Sequence, residues 1–253
     1  MDAISRPLVI SHRTNMGTMP ENTLAGIDAA IADGVDAIEI DVRATREGVP
    51  VLLHDAGLAR VAGDPRDATT LSLEELRAVR LLPKPAGAEP QGVPTLAEAL
   101  ARVAGRGAIL VIEVKQRGVE AAVARAVTDA RASEWCWIWS FDPTIGRACR
   151  AVLPEVPFGL NVSPGSLERF GERGDPVEAC VRAGFAAISL NHPLVSAASV
   201  RQAHRRGLAV YTWTVDAESD IERVWRAGVD GICGNVPPLI DAVIGRTPGV
   251  TSW

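Results

Sequence analysis

The chain has 253 residues, of which 47% are hydrophobic and 23% charged, a composition typical of a globular protein with a substantial core. Its formal net charge is −5 with no run of lysine or arginine, which argues against nucleic acid or an anionic membrane as the main partner. No apolar stretch approaches the roughly 20 residues of a membrane span, and the first apolar run is too short for a signal peptide. Four cysteines without metal-ligand spacing complete the expectation of a single-domain cytoplasmic protein, residues 1–253, with reduced and buried cysteines.

Short runs rich in Val, Ile and Leu alternate along the chain with longer stretches of helical spacing, and Gly, Pro or Asp mark the joints. Nine strands are predicted, over residues 7–12, 36–42, 49–54, 108–114, 136–140, 156–161, 186–190, 208–214 and 230–234. The helices predicted with them span residues 22–33, 72–80, 95–105, 118–132, 142–152, 196–206, 217–227 and 237–245. The helices that follow Ser72 and Thr95 begin with capping-box patterns.

The second and third predicted strands are too close in sequence to be parallel neighbours. About six residues separate Val42 from Val49, whereas a parallel crossover needs roughly a dozen or more. We therefore interpret 49–54 as the return arm of a β-hairpin that turns near Arg46–Gly48. Eight strands remain, each followed by a helix or a helical insertion, which predicts a closed (β/α)8 TIM barrel.

The hairpin places a histidine beside two acids. With the turn centred near Glu47, the expected pairs are Ala44 with Val51, Val42 with Leu53 and Asp41 with His54, to within one residue. His54 is then expected next to the carboxyl end of the second strand.

Residues at about 56–106 precede the third barrel strand and contain more Pro, Gly and Asp than a simple βα connection needs. They predict a small helical insertion that covers the mouth of the barrel. Long loops above an active site often select the substrate, so we expect the insertion to contribute to selectivity.

Three carboxylates are expected at the carboxyl ends of barrel strands, where active sites of this fold lie. Glu39 and Asp41 are two residues apart on the second strand and share a face, and Glu113 ends the third. Because several buried carboxylates are costly without a cation, they predict a hard divalent ion, Mg2+ or Ca2+. The alternative interpretation is that Glu39 and Asp41 form the solvated face of an amphipathic strand.

Two histidines and two basic residues are expected at the same rim. His12 ends the first strand and His54 ends the hairpin, so one can accept and the other donate a proton. Arg13 and Lys115 can hold a phosphate group. The alternatives are structural, namely buried hydrogen-bonded histidines, and an ion pair of Arg13 with Glu21, Glu39 or Asp41. Acids, a divalent ion, two imidazoles and a basic pair together indicate phosphodiester cleavage.

The two other histidines and the tryptophans near the fourth predicted barrel strand are given no catalytic role. His204 is expected at the surface of a helix, and His192 lies near the mouth without a clear role. Trp135, Trp137 and Trp139 alternate with Cys136, Ile138 and Ser140, so the three tryptophans share one face. We interpret that face as the one that packs between sheet and helices, rather than as an aromatic wall for the substrate.

Seven motifs follow one another in a fixed order: ISHR (10–13), PENT (20–23), AIEIDV (37–42), VPVLLHD (49–55), IEVK (112–115), SFD (140–142) and VYTWTV (210–215). The series resembles that of the glycerophosphodiester phosphodiesterase family over about residues 8–240. The resemblance implies a TIM barrel that hydrolyses a glycerophosphodiester to an alcohol and glycerol 3-phosphate with Ca2+ or Mg2+. By position it implies His12 and His54 as the catalytic pair, Glu39, Asp41 and Glu113 as metal ligands, Arg13 and Lys115 as phosphate contacts, and Phe141 and Trp213 as substrate-lining residues.

The chain also departs from the family pattern in three places. Thr14 occupies the position of a glycine, AGLARV follows His-Asp where a Thr-rich segment is usual, and Asn235 replaces an aspartate. None of these changes removes a catalytic group. A phospholipase D-like or lyase reaction, on lysophospholipids or through a cyclic phosphate, and a non-catalytic phosphodiester-binding barrel remain as alternatives, and the oligomeric state is not predicted.

Overall fold

The structure, a computed structural model, describes residues 6–167 and 175–245. The strands it contains are β1 (Leu8–Ser11), β2 (Ala37–Ala44), β3 (Pro50–Leu52), β4 (Ile109–Val114), β5 (Cys136–Ser140), β6 (Phe158–Val162), β7 (Ala187–Asn191), β8 (Ala209–Trp213) and β9 (Gly231–Gly234). The helices are α1 (Leu24–Ala32), α2 (Ala59–Ala62), α3 (Leu73–Arg77), α4 (Leu96–Val103), α5 (Glu120–Asp129), α6 (Pro143–Val152), α7 (Pro164–Leu167), α8 (Pro176–Ala183), α9 (Ala197–Arg205), α10 (Glu218–Ala227) and α11 (Pro237–Val243).

Eight parallel strands close into a barrel. Each strand pairs with its neighbour in the order β1-β2-β4-β5-β6-β7-β8-β9, and β9 returns to β1 through the register Ile10↔Cys233. Strand β3 lies outside the closed ring and pairs antiparallel with the carboxyl end of β2. The predicted TIM barrel with a hairpin after its second strand is confirmed.

Alternation along each strand divides the side chains between two layers. On β2, Ile38 and Ile40 belong to the main core between sheet and helices, whereas Ala37 belongs to a smaller cluster around the barrel axis. Glu39 and Asp41 share the parity of Ala37 and therefore point toward the axis. The inner face of β2 thus changes from an apolar residue at the bottom to carboxylates at the top.

The hairpin register differs by one residue from the prediction. Val42 pairs with Leu52 and Ala44 with Pro50, because a turn over Thr45–Gly48 is closed by the hydrogen bond from Thr45 N to Val49 O, 3.0 Å. Gly48 occupies the left-handed region with φ +82°, which glycine adopts without steric cost. The prediction centred the turn half a residue too late.

His54 still reaches the carboxylates, because it follows the end of β3 and the strand pleat does not fix its direction. Its backbone is held by two contacts instead. Leu53 N donates to Asp41 O over 3.0 Å, and Arg43 Nε donates to His54 O over 2.8 Å.

The insertion between β3 and α4 has a core of its own. It contains α2, a 3-10 turn at Ala68–Thr70 and α3, and α3 begins with the predicted capping box of Ser72 and Glu75. Its buried apolar residues form a separate cluster, which consists of Val51, Leu53, Leu58, Ala68, Leu71, Leu76, Val79, Leu81 and Val93. Helix α4 buries Leu96 and Leu100 in the main core and therefore belongs to the barrel layer.

The interpretation of the tryptophans is wrong for Trp137 and Trp139, whereas Trp135, just before β5, packs against the main core as expected. Trp137 and Trp139 face the barrel axis, where their rings lie 5.2 and 5.4 Å from that of Tyr211. Ser140 points to the opposite side and donates to Val114 O over 2.9 Å. The inner position is sterically possible because Gly159, on the neighbouring strand, leaves the space that the Trp139 indole fills.

Helices α2, α7 and α8 were not among the predicted helices. Helix α8 carries clear end signals, since Asp175 accepts from Val177 N at its start and Gly184 ends it in the left-handed conformation. Within the described residues, no helix combines the length and the hydropathy that crossing a bilayer requires. All four cysteines are buried and free, as expected from the sequence.

Candidate active site

The three predicted carboxylates meet at the top of the barrel. Register places Asp41 beside Glu113 on adjacent strands, and Glu39 lies one inner position below Asp41. All three are buried, and one oxygen of each lies within 4.8 Å of the others. Glu39 Oε1 is buried and has no hydrogen-bond partner among the described residues. Carboxylate oxygens at this spacing, one of them unpartnered, suit the ligand preferences of Mg2+ and Ca2+.

The protonation of the cluster is unusual. Burial, reinforced by the charges of Asp41 and Glu113, raises the pKa of Glu39 well above its ordinary value. Burial and Asp41 also raise the pKa of Glu113 to about 7, although Lys115 opposes the shift. Against its own burial, Lys115 and Arg13 hold the pKa of Asp41 below the ordinary value. The cluster therefore retains protons near neutral pH unless a cation compensates its charge.

Two cations contact the carboxylates. Lys115 Nζ lies 3.0 Å from Asp41 Oδ1 and 2.5 Å from Glu113 Oε1. Arg13 Nε lies 3.3 Å from Asp41 Oδ2, its backbone N–H donates to Glu39 Oε2 over 2.9 Å, and its guanidinium also pairs with Glu21 at 3.3 Å. The ion pairs considered for Arg13 from the sequence thus exist with Glu21 and Asp41.

His12 is held by an amide. Its Nδ1 lies 2.7 Å from Asn235 Oδ1, while Asn235 Nδ2 donates to Asp216 Oδ2 over 2.6 Å and Asn235 N donates to Asp216 Oδ1 over 2.7 Å. Because the carboxylate of Asp216 only accepts, the amide must present its oxygen to His12. His12 Nδ1 therefore carries the proton, and Nε2 keeps a free lone pair. Burial lowers the pKa of His12, although the hydrogen bond to Asn235 opposes the shift.

His54 is held by a carboxylate instead. Its Nδ1 donates to Asp55 Oδ1 over 2.7 Å. Arg60, from α2 of the insertion, contacts the second oxygen of Asp55 through Nε at 2.6 Å and binds Glu21 through both terminal nitrogens at 2.7 and 2.8 Å. Burial lowers the pKa of His54, whereas the charge of Asp41 acts to raise it. One arginine of the insertion thus links the partners of His54 and Arg13.

The loop after β1 is folded around the acids in a constrained conformation. Arg13, Thr14 and Asn22 have φ of 47°, 72° and 58°, values that residues other than glycine rarely adopt. Two hydrogen bonds between Asn22 and Asp41 stabilise this conformation. Asn22 Nδ2 donates to Asp41 Oδ2 over 2.8 Å, and Asp41 N donates to Asn22 Oδ1 over 2.9 Å. Backbone strain of this kind concentrates at functional sites.

These groups meet at one cavity. Both imidazoles line it together with Glu39, Glu113 and Lys115, and Asp41 lies directly beneath Lys115. Its other wall is aromatic, because Phe141 and Trp213 meet edge to face with ring centres 5.3 Å apart. Lys115 Nζ lies 5.4 Å above the Phe141 ring, which joins the polar and aromatic walls.

The remaining two histidines lie outside this cavity. His192 contacts Arg223 and Asp220, and half-exposed His204 contacts Asp230 at 2.8 Å. The sequence interpretation assigned no role to Asn22, Asp55, Arg60, Asn161 or Asp216, and it placed Trp139 on the wrong side of the sheet. The sequence does contain a feature that points to Asn161, which is a polar residue near the end of an apolar strand, as Glu113 is.

Comparison with known proteins gives a consistent result. Residues 12–239 match the model of the glycerophosphoryl diester phosphodiesterase family. A glycerophosphodiester phosphodiesterase of Caldanaerobacter subterraneus subsp. tengcongensis is 30% identical over 93% of this chain and 96% of its own.

Two solved structures extend the comparison. A provisionally named glycerophosphoryl diester phosphodiesterase of Silicibacter pomeroyi DSS-3 superposes with TM-score 0.89 and 28% identity, and covers 97% of this chain and 96% of its own. A phosphodiesterase of Oleispira antarctica, in complex with its product sn-glycerol-3-phosphate, superposes with TM-score 0.79 and 25% identity, over 94% of this chain and 97% of its own.

Proposed function

This chain belongs to the glycerophosphoryl diester phosphodiesterase family, and from that membership we propose a metal-dependent hydrolysis of glycerophosphodiesters to an alcohol and sn-glycerol 3-phosphate. The observation that carries the proposal is the single cavity that both imidazoles, Glu39, Glu113 and Lys115 line. The product bound to the Oleispira antarctica phosphodiesterase supports the same chemistry.

Glu39, Asp41 and Glu113 are the residues that would hold a divalent ion, Mg2+ or Ca2+. Their mutual spacing, their burial and the unpartnered Glu39 Oε1 support this assignment. When bound, such an ion polarises the phosphoryl oxygens and stabilises the charge that develops at phosphorus.

Charge balance supports a divalent rather than a monovalent cation. With all three carboxylates ionised, as metal binding requires, they face the two cations Lys115 and Arg13, which leaves one net negative charge. A divalent ion changes this to one net positive charge, which a singly charged phosphodiester neutralises. Burying an uncompensated charge costs several kcal/mol, so substrate binding and metal binding favour each other.

The two histidines have different partners and therefore different roles. His12 donates through Nδ1 to a neutral amide and keeps Nε2 unprotonated, which suits a general base. His54 donates through Nδ1 to the Asp55 carboxylate, which stabilises an imidazolium and suits a general acid. In hydrolysis, His12 Nε2 takes a proton from water as its oxygen bonds to phosphorus, the P–O bond to the alcohol breaks, and His54 protonates the alcohol oxygen.

The other cavity residues bind the substrate. Arg13 and Lys115 contact the phosphate oxygens, and Phe141 and Trp213 enclose the carbon skeleton. The chain acts as a single domain in this proposal, and its insertion between β3 and α4 contributes Arg60, which contacts Asp55 beside His54. We include a cytoplasmic location in the proposal, which the four unpaired cysteines support.

The test is release of glycerol 3-phosphate from glycerophosphocholine and glycerophosphoethanolamine. Wild-type protein is expected to release it with Mg2+ or Ca2+, to lose activity in EDTA and to regain it when metal is restored. His12→Ala and Glu39→Gln should each reduce kcat by about 10²-fold or more. Absence of turnover on every glycerophosphodiester and lysophospholipid tested would reject the proposal. Phosphorus NMR of the product separates hydrolysis from a lyase reaction, because the lyase forms a cyclic phosphate.

A further inference from the structure

One buried amide oxygen in the cavity lacks a hydrogen-bond partner among the described residues. Asn161 lies on β6 with 2% of its surface exposed, and its Oδ1 is buried without a hydrogen-bond partner among the residues that the structure describes. Buried polar groups are nearly always hydrogen-bonded, so this oxygen is available to a partner that the described part of the protein does not supply.

The position of Asn161 identifies what it faces. Its parity on β6 is that of Gly159, which adjoins the Trp139 ring, so its side chain points toward the barrel axis. It lines the cavity that contains both imidazoles and two of the carboxylates. In the closed strand order β6 lies opposite β1, so the amide faces His12 across the cavity. The amide therefore lies on the far side of the cavity from His12, where a group attached to a phosphate held near the acids can meet it.

The adjacent hydroxyl of Ser189 provides a useful contrast. Ser189 pairs in register with Asn161 on β7, is also buried, and its Oγ is also unpartnered. It does not line the cavity, however. Of these two unsatisfied groups, Asn161 alone is accessible to a substrate.

We propose that Asn161 is a specificity-determining residue that hydrogen-bonds a hydroxyl group of the glycerol moiety. Aromatic rings of Trp139, Phe141 and Trp213 line the same cavity and accommodate the carbon skeleton. A hydroxyl both donates and accepts, so it pairs with the amide in either orientation of that amide. A site built to bind a hydroxyl disfavours an analogue without one, because the polar group of the protein then stays unpaired. This inference rests on the proposed function and assigns the selection of glycerol to one side chain.

The experiment compares Asn161→Leu with wild-type protein on two matched diesters. The first is glycerol 4-nitrophenyl phosphate and the second is propyl 4-nitrophenyl phosphate, which lacks both hydroxyls and has the same leaving group. For Asn161→Leu we expect kcat/KM to fall about 10- to 100-fold on the glycerol ester and to stay within about twofold on the propyl ester. Thermal stability should stay equal or rise, because the substitution removes an unsatisfied buried amide.

Ser189→Ala is the matched control, since it removes the neighbouring unpartnered hydroxyl. It should leave the ratio of kcat/KM for the two esters unchanged. If Asn161→Leu does not fold, Asn161→Ala tests the same ratio with a smaller side chain.

The outcomes separate this inference from the proposed function. Equal losses on the two esters, or no loss on either, would overturn the role of Asn161 while the wild-type activity stands. A fall in melting temperature together with equal losses would assign Asn161 a structural role. Failure of wild-type protein to cleave any glycerophosphodiester would overturn the proposed function, and the inference with it.

Discussion

His12 Nδ1 donates a hydrogen bond to Asn235 Oδ1 over 2.7 Å. The orientation of the side-chain amide is fixed because its Nδ2 donates to Asp216 Oδ2 over 2.6 Å. The negative charge thus lies one residue further from the imidazole than a direct His–Asp contact would place it. His12 is consequently held in the tautomer of a base without a carboxylate hydrogen-bonded directly to its ring.

Exchanging the two partners should move the pH dependence. In the double variant Asp216→Asn/Asn235→Asp the pair keeps one carboxylate and one amide, but the carboxylate contacts His12. The pKa of His12 should then rise by about one unit. Because the base acts when neutral, the acidic limb of kcat/KM against pH should move to higher pH by the same amount. An unchanged or lower acidic limb in a folded variant would contradict the assignment of His12 as base.

Metal binding should release protons. Burial and the charge of Asp41 raise the pKa of Glu113 to about 7, and burial raises the pKa of Glu39 well above its ordinary value, so the cluster without a metal ion holds protons more readily than ordinary carboxylates do. A divalent ion requires the ionised carboxylates and displaces these protons. Calorimetric titration with Mg2+ or Ca2+ at pH 7, in buffers of different ionisation enthalpy, should give on the order of one proton per ion. The number should fall at pH 8.5 and in Glu113→Gln. Binding without proton release at pH 7 would be inconsistent with this electrostatic description.

Arg60 should affect turnover more than stability. It is about half exposed, so its ion pairs add little to folding, but it holds both Asp55 and Glu21, the partners of His54 and Arg13. We expect Arg60→Ala to lower kcat about tenfold with little change in melting temperature.

Arg66→Ala is the matched control for this variant. Arg66 is equally exposed, lies in the same insertion and pairs with Asp64 at 2.6 Å, without a contact to the cavity residues. Its loss should leave kcat unchanged. Comparable losses in both variants would mean that the insertion needs surface charge rather than this particular link.

Thr14 and Gly26 should be energetically coupled. Thr14 is buried at φ 72°, and a Cβ at Gly26 would overlap its side chain. Gly26→Ala in helix α1 should therefore reduce the free energy of unfolding by about 1–3 kcal/mol, although alanine normally stabilises a helix. With Thr14→Gly the overlap disappears and the loss should vanish. Urea denaturation of the two single variants and the double variant measures the coupling, and additive effects would exclude it.

The sequence was sufficient to predict the barrel fold and the three carboxylates at the carboxyl ends of its strands. Loop length alone excluded a parallel connection between Val42 and Val49, and that exclusion produced both the eight-strand ring and the return of His54. Strand parity then brought Glu39, Asp41 and Glu113 to one edge. These inferences depend on spacing within a strand or hairpin, which sequence records directly.

What the sequence did not predict depends on contacts between distant segments. Parity grouped Trp137 with Trp139, but the side on which they lie depends on the space left by Gly159 on another strand. Asn235 and His12 are 223 residues apart, and Arg60 reaches Glu21 over 39 residues. Since the Oδ1 of Asn161 has no hydrogen-bond partner among the described residues, only its position in the closed barrel indicates a function.

The assignment of His12 as general base and His54 as general acid is tested most directly by measuring how kcat/KM of His12→Ala and His54→Ala depends on the leaving group. Glycerophosphocholine needs an acid to protonate its alkoxide, whereas glycerol 4-nitrophenyl phosphate does not. We expect His12→Ala to lose about 10²–10⁴-fold on both diesters, and His54→Ala to lose that much on glycerophosphocholine but less than about tenfold on the 4-nitrophenyl ester. Equal losses of the two variants on both substrates would contradict a base at His12 and an acid at His54.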